Sequence, residues 1–194
     1  MKIAVVKKTF LAALALAGTS TTTLAAENAA GVIHFTGQII TPSCEIKGDT
    51  GTDSTVEMGT YPTSKFVDVG DKSSPVPFKI ILTGCPTTST GLPTVQLTFK
   101  GETALTQSTS LLDVSKITTD GTAAATGIGI AVSPVKAPDQ DIKFDESPEQ
   151  VYIDLVQNSD TDIYADFNAR YQSFSKTVTA GPADADMTIN ILYR

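Results

Sequence analysis

The sequence predicts an all-β protein, a β-sandwich of immunoglobulin-like topology. Short segments of alternating or continuous apolar residues, rich in Thr and Val, recur along the chain. Clusters of Gly, Pro, Asp, Ser and Thr separate them, and helical periodicity is almost absent. About seven short strands within about 170 residues is typical of an immunoglobulin-like sandwich with long connections.

The predicted strands follow one another without an internal repeat or a domain linker. They cover residues 32–40, 76–82, 95–99, 128–132, 151–156, 163–171 and 187–193. The predicted turns between them cover residues 47–53, 70–77, 87–93, 120–126 and 134–140.

The last predicted strand has one apolar face. Asp186, Thr188 and Asn190 alternate with apolar residues, which predicts that the apolar face points inward. Leu192 interrupts the alternation, so it covers a second apolar surface or lies at the sheet edge. The apolar face carries Met187, Ile189, Ile191 and Tyr193, preceded by Ala185.

The first predicted strand also alternates. Its apolar face carries Ala29, Gly31, Ile33 and Phe35, and it is followed by a corner at Pro42. Two interpretations stay open, an ordinary first strand of the domain or a detachable arm with an apolar face. A glycine in that face allows close backbone approach where a site is shallow, or it marks a bulge.

Residues 1–26 are predicted to be a secretory signal peptide. Lys2, Lys7 and Lys8 precede an apolar run at 10–17, and cleavage is expected after Ala25 or Ala26. The run is much shorter than the roughly 20 residues that span a bilayer. Removing these 26 residues, which carry three lysines and no acid, leaves 168 residues and moves the net charge from -7 to -10.

Composition excludes several classes of function. With 14 basic against 21 acidic residues, the chain has no basic surface for nucleic acid or for anionic membranes. A catalytic triad would require His34, the one histidine, which lies in the first predicted strand. Paired carboxylates such as Asp145 and Glu146, or Asp184 and Asp186, are typical of a solvated acidic surface. We therefore expect no catalytic site and no cofactor.

The two cysteines are predicted to pair, because export leads to an oxidising compartment. Cys44 and Cys85 form the single intramolecular bridge available to the chain. A metal site is the alternative, but two cysteines and His34 do not complete a tetrahedral zinc shell without carboxylates.

Several short motifs, in order and spacing, resemble the pilin subunits of Gram-negative chaperone-usher fimbriae, and type 1 major fimbrial subunits in particular. The resemblance covers the chain from residue 27 onward. The motifs are GVIHF at 31–35, TPSC at 41–44, a second cysteine at 85, FNARY at 167–171, GPADA at 181–185 and a penultimate Tyr193.

The resemblance implies an incomplete immunoglobulin-like sandwich that lacks its final strand and is completed by donor-strand complementation. It divides the chain into a donor-strand extension at 27–37 and a pilin domain at 38–194. Gly31, Ile33 and Phe35, with Ala29, would be donor residues, and Gly31 would meet a shallow pocket. The closing strand bordering the groove would carry Met187, Ile189, Ile191 and Tyr193.

The resemblance also implies partners and a location. A periplasmic chaperone, an outer-membrane usher and neighbouring pilin subunits would bind the chain, which would reach a fimbrium on the cell surface through the periplasm. Arg170 and Tyr171 would be structural. The alternative function is a minor adhesive or adaptor subunit that binds a carbohydrate or a host receptor, although the chain contains no Trp for stacking on sugars.

Overall fold

The computed structural model describes residues 33–37, 44–88, 91, 93–114, 123–156 and 161–193. The chain divides into two units, Met1–Ile39 and Ile40–Arg194. The predicted signal peptide and the donor residues Ala29 and Gly31 lie outside the described residues. In the part of the chain that is described, no helix has the length and apolar character needed to cross a membrane.

The described part of the second unit is all-β, as predicted, with eight strands and one 3₁₀ turn at Thr63–Lys65. Six of the strands coincide with predicted ones. The strands are β1 Glu45–Lys47, β2 Val76–Thr83, β3 Thr94–Gly101, β4 Leu112–Asp113, β5 Ile128–Pro134, β6 Val151–Asp154, β7 Ile163–Ser173 and β8 Met187–Leu192.

The strands form two antiparallel sheets. One has the order β1-β2-β7-β5-β4 and the other the order β6-β3-β8. In the first sheet Phe78 of β2 lies opposite Phe167 of β7. In the second, Phe99 of β3 lies opposite Ile189 of β8. Two pairs of sequential strands, β1 with β2 and β4 with β5, share the first sheet, whereas the connections after β2, β3, β5, β6 and β7 cross to the other sheet.

The core lies between the two sheets. Most inward side chains of the central strands are buried, and Leu82, Leu97, Phe99 and Phe167 are at most 1% exposed. The rings of Phe99 and Phe167 meet edge to face across the sandwich at a centroid distance of 5.9 Å. Because full burial of such a side chain contributes about 1.5–3 kcal/mol, these residues dominate the stability of the sandwich.

One side of the sandwich is closed by the segment between β5 and β6. The amide of Ile142 donates to the carbonyl of Val132 in the first sheet (2.8 Å). Four residues later the amide of Glu146 donates to the carbonyl of Phe99 in the second sheet (2.9 Å). The segment therefore crosses from one sheet to the other beside β5 and β3, on the side away from β8.

Buried Arg170 holds the start of that segment. Its guanidinium pairs with the Asp141 carboxylate, donates to the Ser133 hydroxyl (3.1 Å) and reaches the Pro138 carbonyl (3.4 Å). Arg170 lies on the outward side of β7, so these contacts fold residues 134–142 over the outer face of the first sheet. The expectation that Arg170 is structural agrees with this arrangement.

Cys44 and Cys85 form a disulfide, as predicted. It joins the residue before β1 to the second residue after β2, and both cysteines are buried. Since β1 is an edge strand of only three residues, the bridge fixes its start to the rest of the sheet.

Three expectations about local structure need correction. Residues 33–37 carry no helix or strand, although a strand was predicted over 32–40. β1 and β4 were not predicted. The predicted turn at 47–53 begins inside β1, and the one at 70–77 includes the first two residues of β2.

Candidate functional site: the open edge beside β8

β8 is an edge strand. It pairs with β3 over six residues, from Met187 opposite Gly101 to Leu192 opposite Gln96. In an antiparallel pair alternate residues direct their N–H and C=O groups away from the partner strand. Among the described residues nothing hydrogen-bonds to the backbone of β8 on that second side. An edge of this kind is a template for a further strand.

The side chains that point inward from β8 are apolar and only half-buried. They pack against the core, whereas the outward Thr188 and Asn190 are exposed. This is the alternation that the sequence predicts, although the strand ends at Leu192 and Tyr193 follows it. The half-buried residues are Met187, Ile189, Ile191 and Tyr193.

A second open edge lies in the first sheet. Among the described residues β1 pairs with only the last three residues of β2, so residues 76–80 have no described partner on that side. Phe78 lies there, half-buried and stacked on Phe167 with ring centroids 5.6 Å apart. The apolar alternation of the predicted strand at 76–82 was the available signal for Phe78, but sequence reasoning did not assign it to the site.

Two hydrogen bonds hold the ends of β8. After the strand, the Tyr193 hydroxyl accepts the amide N–H of Cys44 at 3.0 Å. Before it, the Tyr171 hydroxyl donates to the carbonyl of Ala183 at 3.0 Å. Burial is the main cause that raises the pKa of Tyr171 above its ordinary value, so this hydroxyl remains a donor at neutral pH. β8 is therefore fixed at both ends, while no described residue pairs with its outer edge.

The described part of the predicted arm exposes its apolar side chains. Ile33 is 79% exposed and Phe35 is 92% exposed. Covering these two side chains with another molecule would remove their apolar surface from water, which is favourable.

Metal binding and catalysis were the other possibilities to consider among the described residues. These residues contain no cluster of three or more His, Cys, Asp or Glu side chains that could hold a metal. A cavity of about 380 Å³ contains the buried carboxylate of Asp113 in its lining. That carboxylate accepts the amide N–H groups of Leu105 and Thr106 at 3.0–3.1 Å, which gives it a structural role.

The carboxylate pairs considered as catalytic candidates are solvent-exposed. Hydrogen bonds from the Ser147 hydroxyl and from the Ser147 amide N–H (3.1 Å) lower the pKa of the Asp145 carboxyl group. A carboxylate that stays ionised in a surface turn is not suited to act as a general acid.

Comparison with known proteins decides the family. A family model described as "Fimbrial protein" matches residues 33–194. The chain belongs to the fimbrial protein family. A type-1 fimbrial protein subunit of Serratia marcescens is 34% identical over 95% of this chain and 96% of that protein. A probable major fimbrial subunit, LpfA, of Escherichia coli O157:H7 is 34% identical over 96% of this chain and 97% of that protein.

Solved pilin structures share the fold of this fimbrial protein. The P pilus rod subunit PapA superposes with a TM-score of 0.58 at 22% identity, covering 78% of this chain and 99% of that one. Its relatives identify this chain as a structural fimbrial subunit rather than an enzyme, and they favour that function over the adhesive alternative. The assignment to a surface fimbrium agrees with the predicted location.

Proposed function

We propose that this fimbrial subunit polymerises by donor-strand exchange, in which the arm at 27–37 of one subunit occupies the open edge beside β8 of another. The observation that carries the proposal is an edge strand whose inward side chains are apolar and half-buried. Strand addition would satisfy the free N–H and C=O groups of β8 and complete the cover over those side chains.

Covering the inward side chains of β8 adds to the gain from backbone hydrogen bonds. Four side chains, Met187, Ile189, Ile191 and Tyr193, are each still exposed by at most about a third of their surface. At about 1.5–3 kcal/mol for full burial of each, covering them contributes at most roughly 2–4 kcal/mol before the new backbone hydrogen bonds. Buried apolar side chains of the arriving arm add to this.

The donor residues are proposed to be Ala29, Gly31, Ile33 and Phe35. The high exposure of Ile33 and Phe35 supports this assignment, because it leaves both side chains free to enter another subunit. Gly31 would lie where the groove is too shallow for a side chain.

Before assembly the open edge requires another cover, since an exposed apolar edge promotes aggregation. We assign that role to a periplasmic chaperone, which would donate a strand to β8, and the site of exchange to an outer-membrane usher. The signal peptide at 1–26 would direct the chain to that compartment.

Deletion of residues 27–35 tests the arm. The shortened subunit should be recovered with its chaperone at normal yield and should accept the arm of a wild-type subunit, but it should not add to another subunit. If these residues were a first strand of their own domain, the deletion would remove buried side chains and unfold it. Loss of the chaperone complex on deletion would therefore refute the proposal.

A matched pair of substitutions tests the edge. Ile189→Asp places a charge on the inward face of β8, whereas Thr188→Asp places the same charge on the exposed face one residue away. The first should abolish the chaperone complex and the second should preserve it. Truncation of residues 192–194, which removes the Tyr193 hydrogen bond to Cys44, should behave like Ile189→Asp. Normal complex yields from Ile189→Asp would contradict strand capture at this edge.

A further inference from the structure

The outer face of the β3–β8 pair carries a polar cluster of three side chains, Asn190, Glu146 and Lys100. The Nδ2 of Asn190 lies 3.4 Å from the Oε1 of Glu146, and the other carboxylate oxygen of Glu146 lies 3.3 Å from the Nζ of Lys100. Asn190 and Lys100 belong to neighbouring strands, so the carboxylate lies across the outer face of the sheet. All three side chains are accessible to solvent.

The backbone fixes where this carboxylate lies. Glu146 adopts a left-handed conformation with φ of 62°. Its amide donates to the carbonyl of Phe99 at 2.9 Å, on the side of β3 opposite β8. The side chain must cross β3 to reach Asn190, which places a negative charge beside the central residue of β8.

The alternation of the arm determines which of its side chains meets that group. In a strand, Ile33 and Phe35 point to one face, and His34 and Thr36 point to the other. If the apolar pair enters the groove, His34 lies on the outer face of the sheet. Placing Ile33 and Phe35 beside the two central inward residues, Ile189 and Ile191, sets His34 opposite Asn190 for either strand direction.

We propose that His34 of a second copy of this chain contacts the Asn190–Glu146 pair of the acceptor subunit. This inference rests on the proposed donor-strand exchange. The occupant of this outer surface is therefore the polar face of the same arm whose apolar face fills the groove. The arm would be recognised on both faces, and Asn190 would specify its register.

The surrounding charges favour this contact when histidine is protonated. Glu146 provides the negative charge, and Lys100 already pairs with it. Residues 143–149, the segment that carries Glu146, also expose Asp145, Glu149 and Lys143. Three carboxylates against Lys143 and Lys100 leave a net charge of -1 beside the contact, and a histidine side chain gains its positive charge between pH 8 and pH 5.

Disulfide mapping in assembled fibres tests the register. His34→Cys is combined in turn with Asn190→Cys, Thr188→Cys and Leu192→Cys, because directly opposite residues bring their Cβ atoms to about 4.5–5.5 Å. A covalent ladder on non-reducing gels is expected for the Asn190→Cys combination alone. A ladder from the Thr188→Cys or Leu192→Cys combination, or fibres without any ladder, would overturn the proposal.

The pH dependence of fibre dissociation tests the chemistry. At pH 5.5, wild-type fibres should dissociate about two- to fivefold more slowly than His34→Gln fibres, which is the range expected for an accessible charged contact. At pH 8, the two kinds of fibre should dissociate at the same rate. Glu146→Gln should remove the same difference, and the double variant should show no further loss. Glu149→Gln, in the same loop, is the matched control and should behave like wild type.

Each failure is assigned to one hypothesis. If the wild-type chain forms no fibres, the proposed donor-strand exchange fails. If fibres form but the pH dependence survives both His34→Gln and Glu146→Gln, only the outer-face contact is wrong.

Discussion

Replacing both cysteines by alanine should destabilise the subunit and loosen β1 and the end of β8. The bridge closes a loop between residues 41 positions apart. For a loop of that size, loss of the cross-link costs about 4 kcal/mol on the chain-entropy model. Since small domains have a total stability of about 5–15 kcal/mol, the loss is a large fraction of the whole.

The structure adds a local consequence. Cys44 donates its amide hydrogen to the Tyr193 hydroxyl, so the bridge indirectly holds the end of β8. Without it β1 is held by its three-residue pairing with β2, by the hydrogen bond from the residue 44 amide to Tyr193 and by the exposed ion pair between Lys47 and Asp162. We therefore expect the Cys44→Ala, Cys85→Ala variant to lose strand capture as well as stability.

Urea unfolding measures the effect. Every variant is unfolded in the presence of a peptide covering residues 27–39, which serves as the donor strand. The peptide is kept at the same excess throughout, because the stabilisation by a bound ligand depends on its concentration. With a slope of about 2 kcal/mol/M, a loss of about 4 kcal/mol lowers the midpoint by about 2 M. Tyr193→Phe is the control for the hydrogen bond alone and should cost about 1 kcal/mol.

Reduction provides the independent check. Dithiothreitol should lower the midpoint of wild-type protein by a similar amount and should leave the double-alanine variant unchanged. A loss below about 1 kcal/mol, or equal sensitivity of both proteins to reduction, would refute the reasoning.

Three further predictions follow from buried groups and from the arm. Tyr171→Phe should cost about 1 kcal/mol at neutral pH. Burial raises the pKa of Tyr171 in the folded state, so the wild-type protein loses stability as the pH rises above 10 and through that pKa. Melting temperatures measured at several pH values between 8 and 11.5 should therefore fall less for the variant than for wild type. Asp141→Asn leaves buried Arg170 without its carboxylate partner and should lower the free energy of unfolding by about 2–3 kcal/mol. The control Asp166→Asn removes an exposed ion pair and should lower it by under about 1 kcal/mol. Equal unfolding midpoints for the two variants would contradict this prediction. Gly31→Leu should slow fibre growth while leaving the subunit able to accept a wild-type arm, and wild-type growth rates from the variant alone would exclude the proposed donor position.

Strands long enough to show a period could be predicted from the sequence. β2, β3, β5, β7 and β8 each have at least six residues, and each buries alternate side chains or lies wholly inside. β1 and β4 have three and two residues, too few for any period to appear. Their pairing depends on the neighbouring strand and on the disulfide, which are tertiary features.

The stretch at 136–149 shows a different limit. Its charged residues are typical of a solvated surface, yet Ile142 and Phe144 are 3% and 2% exposed within it. Asp141 pairs with Arg170, a residue 29 positions away. Isolated apolar residues between charges give no periodic signal, so the crossing from one sheet to the other was not predictable.

For the candidate site, alternation predicted which side chains share a face but not whether the edge beside them is occupied. The same pattern at Met187, Ile189, Ile191 and Tyr193 would suit a strand paired on both sides. What distinguishes an open edge is the strand order, which places β8 last in its sheet among the described residues. Strand order is set by contacts between distant segments, so it is absent from any local pattern.

For the arm, too, the sequence predicts which side chains share a face but not which acceptor residues they lie opposite. In an extended strand Gly37 would share a face with Ile33 and Phe35, so two glycines, Gly31 and Gly37, would flank the apolar pair. A Cβ built at Gly37 meets nothing within 4 Å, and its φ lies outside the left-handed region, so leucine there does not disturb the free subunit. Any defect of Gly37→Leu in fibre growth therefore arises in the acceptor groove. Comparing its growth rate with that of Gly31→Leu identifies which end of the arm meets the shallow part of the groove, and equal wild-type rates for both would exclude a shallow site.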